Sequence, residues 1–376
     1  MAGIYVHIPF CKKACHYCDF HFTTTQYYRD EIIQQLANEI EQKKNYLSKQ
    51  TLNTIYFGGG TPSILNEEEL RLLLNSIHRN FVVAKNAEIT LEANPDDLSM
   101  EKLLILKKIG INRLSIGIQS FLDEDLKWMN RAHNAAQAKK AVMNAANAGF
   151  NNISIDLIYG LPTSTLADWH TNLALAVILP VQHLSCYCLT VEDNTALHHF
   201  IKKGKVSEKK DEVSSEEFLL AHQFLVANNF EHYEISNYGL KNFHSRHNSS
   251  YWENEPYLGI GPSAHSYNGI SRQWNVANNI QYLNSMKEGK SLFEKEELSC
   301  EQQFNEYLMT RLRTTKGISL EYVETVFGKK YSDELHQKIS AYESPSHFEI
   351  QNNHLHLTTE GMLKLNSIVI EWMADE

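Results

Sequence analysis

Residues 3–18 read GIYVHIPFCKKACHYC, an apolar run of strand-forming residues followed directly by three cysteines with the spacing C-x3-C-x2-C. Three thiolates, from Cys11, Cys15 and Cys18, can hold three irons of a [4Fe–4S] cluster and leave the fourth iron open to a chelating ligand. Structural zinc sites usually combine two cysteine pairs, or a cysteine pair with a histidine pair, and no second group at that spacing appears. The segment therefore predicts a reactive iron–sulfur cluster, with zinc as the competing metal.

Strand-like runs alternate with helical patterns through the first half of the chain. The runs cover residues 4–8, 54–57, 88–92, 113–118, 152–158 and 183–189, and the helical patterns cover 27–46, 67–81, 100–109, 135–148 and 165–179. This alternation predicts right-handed βαβ crossovers and a parallel sheet, hence an α/β fold. Six units form either an open doubly wound sheet or a partial barrel. In both, ligands bind at the carboxyl ends of the strands, and the cysteine loop follows the first strand.

The pattern changes in the last third of the chain. From about residue 293 two helices, a short hairpin and a final helix predict a small α+β module of winged-helix type. A chain of 376 residues exceeds the size at which a single core stops growing. We therefore predict two units, residues 1–280 and residues 293–376.

Charge and cysteine usage restrict the classes of partner. The formal net charge of −10, from 35 basic and 45 acidic residues, opposes binding to a phosphate backbone, so no nucleic-acid partner is expected. Three of the six cysteines lie within eight residues, and no signal peptide is visible, which favours a reducing cytoplasm. The longest apolar run, residues 173–179, is too short to span a bilayer, although peripheral contact with a membrane stays compatible with the sequence.

Glycines and polar side chains follow several of the predicted strands. The run Gly58-Gly59-Gly60-Thr61-Pro62 matches neither a Walker phosphate loop nor a dinucleotide fingerprint. Single polar residues at strand ends are usually caps or solvated loop residues. Their repetition over four strands instead predicts the rim of a ligand pocket. These residues are Glu92, Gln119, Asp156 and Thr190, with Arg131 twelve residues after Gln119.

Three segments together resemble radical S-adenosylmethionine (SAM) enzymes of the oxygen-independent coproporphyrinogen III oxidase type: the cysteine motif, the glycine run, and Ile155-Asp156-Leu157-Ile158-Tyr159-Gly160-Leu161-Pro162. The resemblance implies a partial (βα)6 barrel in which SAM chelates the open iron and is cleaved to a 5′-deoxyadenosyl radical. Carried over by position, it implies the following contacts to SAM: Tyr5, Tyr17, Gly59, Gly60, Thr61, Glu92, Gln119, Arg131, Asp156 and Thr190.

Two features separate the chain from that oxidase. Phe20 stands where the oxidase pattern has a further cysteine, and only two residues precede Gly3, where the oxidase carries an extension that helps enclose its porphyrinogen. In addition, residues 247–252 read H-N-x-x-Y-W, a motif similar to that of the related heme chaperone family HemW. This resemblance implies heme binding, with His247, Tyr251 and Trp252 as candidate residues. The alternative is that His247 hydrogen-bonds a carbonyl, with Tyr251 and Trp252 as ordinary core aromatics. A second glycine-rich loop, residues 259–266, makes His265 a further candidate, for heme or for SAM.

The sequence thus predicts a cytoplasmic heme chaperone built on a radical SAM scaffold, with a [4Fe–4S] cluster, SAM and heme as its ligands. Its partners would be heme-accepting proteins, such as those of respiration. The alternative is a true coproporphyrinogen III oxidase, which decarboxylates its substrate to protoporphyrinogen IX. We assign no catalytic side chain, because the chemistry would belong to the cluster and SAM. The oligomeric state is not predicted.

Overall fold

A computed structural model describes residues 2–374 of the chain. The strands fall into two sheets. In chain order they are β1 (Ala2–Ile8), β2 (Leu52–Gly59), β3 (Val83–Ala93), β4 (Arg113–Gln119), β5 (Ile153–Tyr159), β6 (His183–Cys188), β7 (Glu231–Glu234), β8 (Asn237–Gly239), β9 (Tyr257–Ile260), β10 (His265–Tyr267), β11 (Ser271–Asn275), β12 (Phe293–Glu297), β13 (Ile318–Ser319), β14 (Phe348–Gln351) and β15 (His354–Leu357).

Helices connect and flank these strands. In chain order they are α1 (Arg29–Gln42), α2 (Glu67–Asn80), α3 (Met100–Lys108), α4 (Asp123–Trp128), α5 (Ala135–Asn147), α6 (Leu166–Ile178), α7 (Ala196–Lys202), α8 (Asp211–Ala227), α9 (Arg246–Trp252), α10 (Asn279–Lys287), α11 (Cys300–Arg311), α12 (Leu320–Tyr322), α13 (Lys329–Ala341), α14 (Thr359–Met362) and α15 (Leu365–Trp372).

The six strands β1 to β6 run parallel to one another in sequence order. They form the centre of a mixed sheet whose strand order is β12-β11-β10-β9-β1-β2-β3-β4-β5-β6-β8-β7. Within residues 2–374 the sheet does not close on itself, because β9 pairs with β1 on one side and β8 pairs with β6 on the other. The predicted α/β fold with six βα units is confirmed, and of the two architectures the structure has the partial barrel.

Local sequence explains where the helices of this barrel begin. Asn66, Asn134 and Thr165 precede α2, α5 and α6, and each side chain accepts a hydrogen bond from the backbone three residues later. In all three cases the side chain at that third position returns the bond, which forms a capping box. The helix α4 was not predicted, because its six residues are too few to show a period in the sequence.

The strands that extend the sheet beyond β6 and β1 were also missed. They are three to five residues long, and the segments that contain them are rich in aromatic residues and histidine rather than in β-branched residues. Their pairing is decided by contact with the edges of the barrel sheet, which local propensity does not report.

The C-terminal part of the chain has its own sheet, with the strand order β13-β15-β14. Helices α11, α13 and α15 pack around it, and their core includes Phe304, Leu335 and Trp372. The small α+β module predicted there is confirmed. Its predicted first boundary, residue 293, lies at the start of β12, which pairs with β11 in the large sheet. Within residues 2–374, no helix combines the length and the apolar character that crossing a bilayer requires.

Candidate functional site

The glycine run after β2 fastens the cysteine loop to the barrel. The backbone N–H of Gly60 donates to the carbonyl of Ile8 at 2.9 Å, and that of Thr61 donates to the carbonyl of Phe10 at 2.7 Å. A Cβ at position 60 would lie 2.7 Å from the Phe10 oxygen and 2.8 Å from the Ile8 oxygen. Glycine is required there because the two backbones approach so closely. The glycines thus hold the loop that begins at Cys11.

The three cysteines of the motif lie on this loop, at the carboxyl end of β1. Cys11 is buried, whereas Cys15 and Cys18 are partly exposed. The Thr61 hydroxyl donates to Sγ of Cys11 at 3.2 Å, and Nη1 of Arg131 donates to Sγ of Cys15 at 3.3 Å. Burial raises the pKa of Cys11 to about 11 and that of Cys18 to about 12.

This sulfur set fits the cluster that the motif predicts. Buried thiolates need a compensating positive charge, and iron supplies it when it replaces the protons. Within residues 2–374, no three His, Cys, Asp or Glu side chains are gathered as ligands of one metal ion would be. Thiolates that bind three different irons of one cluster do not have to approach each other that closely. Thr61 and Arg131 then supply hydrogen bonds to the sulfurs, which tune such clusters.

Arg131 joins the cysteine loop to the ends of two strands. Besides Cys15, its guanidinium donates through Nη2 to Oδ1 of Asn94 at 2.6 Å and to the carbonyl of Gly117 at 2.7 Å. Its Nε is buried and has no partner within the described residues. A planar cation with a free donor at the carboxyl edge of a sheet suits a carboxylate ligand. The methionyl carboxylate of SAM is such a group.

Glu92, near the end of β3, is held by two donors. The Tyr56 hydroxyl donates to Oε1 at 2.7 Å, and the backbone N–H of Gly59 donates to Oε2 at 3.2 Å. Burial has the largest effect on this carboxyl group. It raises the pKa to about 7, although the hydrogen bonds from Tyr56 and Gly59 act to lower the pKa. The side chain is thus fixed in place while its charge state stays sensitive to a ligand or to pH near neutrality.

Asp156 on β5 faces the same interior. The Ser115 hydroxyl, on the neighbouring strand β4, donates to its Oδ1 at 3.2 Å. Burial raises the pKa of Asp156, while a hydrogen bond from Ser185 and the charge of Arg113 act in the opposite direction. Two carboxyl groups on β3 and β5 with a cation nearby can accept hydrogen bonds from hydroxyl or amino groups of a polar ligand.

The remaining residues predicted to contact SAM lie around this interior. Gln119 adopts a left-handed backbone conformation, with φ of 69°, where β4 ends, and its Nε2 points toward Gly117. Tyr17 lies beside Arg131, and burial raises the pKa of its hydroxyl. Tyr5 on β1 stacks on Tyr56, with ring centroids 6.1 Å apart. Thr190 is exposed just beyond β6, on the outer side of this group.

Sequence reasoning missed Arg113, the buried cation of this interior. The first residue of β4, it is 1% exposed, and its Nε and Nη1 have no hydrogen-bond partner within residues 2–374. Its charge lowers the pKa of Glu92 and Asp156. Arg113 has the same parity along β4 as Ser115, so alternation alone places both side chains on one face of the sheet. In the sequence, the indication that Arg113 has a functional role was its position as an arginine within a predicted buried strand.

A cavity of about 500 Å³ opens beside the cysteine loop. Its walls come from β1, the loop after Cys18, α9 and the residues that follow it, the segments around β9 to β11, and α11 of the C-terminal module. Aromatic rings predominate. The lining residues are Tyr5, His7, Asp19, Phe20, His21, Tyr251, Trp252, Asn254, Glu255, Tyr257, Ser263, His265, Tyr267, Arg272, Met309 and Thr310.

Of the four heme candidates, Tyr251, Trp252 and His265 line this cavity, and His247 does not. His247 is 1% exposed, its Nδ1 lies 2.7 Å from Oγ1 of Thr54, and its Nε2 lies 2.9 Å from the Tyr251 hydroxyl. Burial lowers the pKa of this imidazole to about 3. Both ring nitrogens are therefore used inside the protein, and their partners are side-chain hydroxyl groups rather than a carbonyl.

Comparison with known proteins identifies the family. The Radical SAM superfamily model matches residues 5–176, and the HemN C-terminal domain model matches residues 298–363. Heme chaperone HemW of Bacillus subtilis (strain 168) is 34% identical over 374 residues, which cover 98% of this chain and 98% of that protein. The chain belongs to the HemW family. The HemW of Lactococcus lactis subsp. lactis (strain IL1403) is 32% identical over 373 residues, covering 99% of this chain and 97% of that protein.

A solved structure agrees with the fold of this HemW family member. Coproporphyrinogen III oxidase (HemN) from Escherichia coli, a radical SAM enzyme, aligns with a TM-score of 0.86, over 99% of this chain and 90% of that one, at 22% sequence identity. At 22% sequence identity, this structural similarity shows a shared fold and nothing about function. The resemblance predicted from the cysteine, glycine and H-N-x-x-Y-W motifs is confirmed at the level of the family.

Proposed function

We propose that this chain binds heme and passes it to acceptor proteins, on a radical SAM scaffold that also holds a [4Fe–4S] cluster and SAM. Relatives named heme chaperone HemW, similar over almost the whole chain, support the proposal. The structural observation that carries it is the aromatic cavity between the cysteine loop and the C-terminal module. Its volume of about 500 Å³ falls in the range of cofactor-binding pockets.

The chemistry of the cavity walls suits a porphyrin. Tyr251, Tyr257 and Tyr267 form a continuous group of rings, with centroids 4.6 Å apart for the first pair and 6.5 Å for the second. Flat aromatic faces cover a macrocycle at little cost in conformational entropy. Arg272 lies over the Tyr267 ring at 5.2 Å and contributes a cation to the wall, which suits a propionate. Its present partner is Glu306, with Nε to Oε1 at 2.5 Å.

We assign the cluster to Cys11, Cys15 and Cys18, and SAM to the polar residues at the carboxyl ends of the strands. When both are bound, the cluster supplies a reducing electron and SAM supplies the sulfonium bond that this electron can cleave. The chain's own contribution is orientation: Arg131 suits the carboxylate, while Glu92 and Asp156 suit hydroxyl or amino groups. The other proposed contacts are Tyr5, Tyr17, Gly59, Gly60, Thr61, Gln119 and Thr190.

The H-N-x-x-Y-W motif has a positioning role in this proposal. His247 bonds to the Tyr251 hydroxyl, and its ring is edge-on to the Tyr251 ring at 5.0 Å. It also stacks on Tyr56, whose hydroxyl holds Glu92. The histidine thus connects a ring of the cavity wall to the carboxyl group proposed to contact SAM. Ligation of heme iron by His247 would require one of its two hydrogen bonds to break.

The cluster assignment is tested with Cys15→Ala. Loss of one of only three thiolates leaves an iron without its ligand, so iron content and brown absorbance after anaerobic reconstitution should fall to background. Cys300→Ala changes an exposed cysteine at the start of α11 and serves as the matched control, with the parent's iron content expected. Equal iron content in the two variants would contradict the assignment.

Heme binding is tested by titrating hemin into anaerobically purified, cluster-loaded protein. A saturable Soret change at one heme per chain, followed by transfer to a heme-free acceptor, is the expected result. A protein with full cluster content and no Soret change would refute the proposed function. The same preparation, incubated with SAM, a reductant and coproporphyrinogen III, should form no protoporphyrinogen IX. Product formation would instead establish the oxidase alternative.

Two further elements belong to the proposal. The acceptors would be heme proteins, with those of respiration as the first to assay, and heme would be transferred in the cytoplasm. Neither nucleic acid nor a second metal is required. Comparing hemin transfer to purified acceptors with transfer to phospholipid vesicles tests whether the chain delivers heme to proteins or to a membrane surface.

A further inference from the structure

We infer that His265 and Met309 provide the two axial ligands of the heme iron in the aromatic cavity, so that the barrel and the C-terminal module bind the metal together. The inference rests on the proposed function and adds to it the coordination of the heme. Both side chains line the same cavity. Imidazole with a thioether is one of the established axial pairs for protein-bound heme.

His265 has the free nitrogen that a ligand needs. It is the first residue of β10, at the exposed end of that strand, and within residues 2–374 neither of its ring nitrogens takes part in a hydrogen bond. Its ring stacks on Trp274 of β11, with centroids 6.0 Å apart and planes inclined by 25°, which supports the orientation of the imidazole.

Met309 approaches the cavity from the C-terminal module. It lies in the last turn of α11, between the buried residues Leu308 and Thr310, yet its side chain is 42% exposed. Thr310 lines the same wall. Its exposure leaves this side chain accessible to a ligand in the cavity that it lines. A thioether sulfur is a soft donor that binds heme iron.

The other histidines close to the cavity are less available. His7 is bonded at both nitrogens, to the Tyr5 hydroxyl at 3.1 Å and to the carbonyl of His21 at 2.8 Å. His21 has one nitrogen bonded to Oδ1 of Asn279 at 2.7 Å. One of its nitrogens therefore remains, which makes His21 the competing ligand that the experiment must separate from His265.

The arrangement has a consequence for heme transfer. Ligands from β10 and α11 belong to different parts of the chain, and Asp19 and Phe20, directly after Cys18, line the same cavity. Movement of the C-terminal module would withdraw the thioether and open the cavity, and it would also separate the Arg272–Glu306 ion pair between β11 and α11. Iron bound through one remaining imidazole is held less tightly and can pass to an acceptor. The cluster loop lies within contact distance of the same cavity.

Spectroscopy of hemin-loaded protein tests the pair directly. Cluster-loaded parent protein is titrated with hemin, and difference spectra against the same protein without hemin remove the cluster absorbance. We expect low-spin ferric heme with the near-infrared charge-transfer band of methionine-to-iron coordination. Met309→Leu should abolish that band, and His265→Ala should shift the Soret maximum and weaken hemin binding by about 10-fold or more. Matched controls are Met143→Leu and His336→Ala, both at exposed positions away from the cavity.

The outcomes distinguish a failure of the proposed heme-binding function from a failure of the assigned axial ligands. A parent that binds no hemin refutes the proposed function itself. If the parent binds hemin but His265→Ala and Met309→Leu leave its spectrum unchanged, heme binding stands and the axial pair is wrong. A spectral change in His21→Ala and not in His265→Ala also overturns the assignment. Circular dichroism of each variant confirms that its fold is retained, and Met309→Leu, nearly isosteric and partly exposed, keeps the test valid if His265→Ala does not fold.

Discussion

Nη1 of Arg131 lies 3.3 Å from Sγ of Cys15, although the two residues are 116 positions apart in the chain. One guanidinium thus contacts the proposed cluster ligand Cys15 and, through Asn94 and Gly117, the ends of β3 and β4. The relationship connects the cluster to the proposed SAM site through a single side chain. A change at Arg131 therefore removes the proposed contact to SAM and one hydrogen bond to Cys15, but no cluster ligand.

Replacing Arg131 by methionine should separate SAM binding from cluster assembly. Charge-assisted hydrogen bonds contribute about 1.5–3 kcal/mol, so the affinity for SAM should fall by about 10-fold or more. Iron content should stay near that of the parent because all three cysteines remain. Calorimetric titration of the cluster-loaded protein with SAM measures the effect. Arg79→Met, an exposed position on α2, is the control, and equal affinities in the two variants would refute the assigned contact.

Gly60→Ala should damage the cysteine loop without touching a cysteine. The added Cβ would meet the backbone oxygens of Phe10 and Ile8 at 2.7 and 2.8 Å, and neither can move independently of the loop. Overpacking of this kind costs about 1–3 kcal/mol, and reconstituted iron content should decrease. The control is Gly110→Ala, in which the added Cβ meets no described atom within 4 Å. Its backbone is nevertheless strained, because φ is 104° at that position. That variant should lose stability while it retains iron, and loss of iron in both would mean general misfolding.

Titration of Glu92 makes the stability of the cluster-free protein depend on pH. Its pKa of about 7 in the fold lies above the ordinary value of 4.5, so between these values the folded state binds a proton that the unfolded state has lost. The free energy of unfolding therefore falls as pH rises from about 4.5 to about 7, by about 3 kcal/mol for this group. In Glu92→Gln this decline should be smaller, as measured by urea denaturation across that range.

The comparison variant for that experiment is Glu234→Gln. Burial also raises the pKa of Glu234, on β7, to about 7, against a hydrogen bond from Asn237. Its removal should flatten the pH dependence in the same direction. Only Glu92→Gln should also weaken SAM binding, because Glu234 lies outside the proposed site. If both variants bind SAM as the parent does, the role given to Glu92 is wrong.

His247→Ala should be costly for folding. The change leaves the hydroxyls of Thr54 and Tyr251 without a partner inside the protein and opens a space beside the Tyr56 ring. Unsatisfied buried groups and a cavity together cost about 2–4 kcal/mol in the free energy of unfolding, measured by chemical denaturation. The exposed His336→Ala should stay within about 0.5 kcal/mol of the parent. A stability close to the parent's would show that His247 is not the core residue described above.

Much of the fold was predictable because its causes are local. The alternation of strands and helices from β1 to β6 follows from hydrophobic periodicity, capping residues and stop residues, and the predicted elements differ from the observed ones by a few residues at their ends. The extensions of the sheet were not predictable, since β7 to β12 are short and depend on edges supplied by distant strands. The same holds for Arg113, whose function as the interior cation depends on Glu92 and Asp156 of neighbouring strands.

The spacing of Cys11, Cys15 and Cys18 predicted a metal-binding loop by itself, because ligands on one short loop stay close in any fold. The availability of each histidine was decided by tertiary structure alone. His247 stands in the more informative motif, yet Thr54, 193 positions away, takes one of its nitrogens. Among residues 2–374, His265 has no hydrogen-bond partner for either nitrogen, and it lies on a cavity wall that also includes residues of α11. A ring nitrogen is free or occupied according to its neighbours in space, and those neighbours are brought together only when the barrel and the C-terminal module pack.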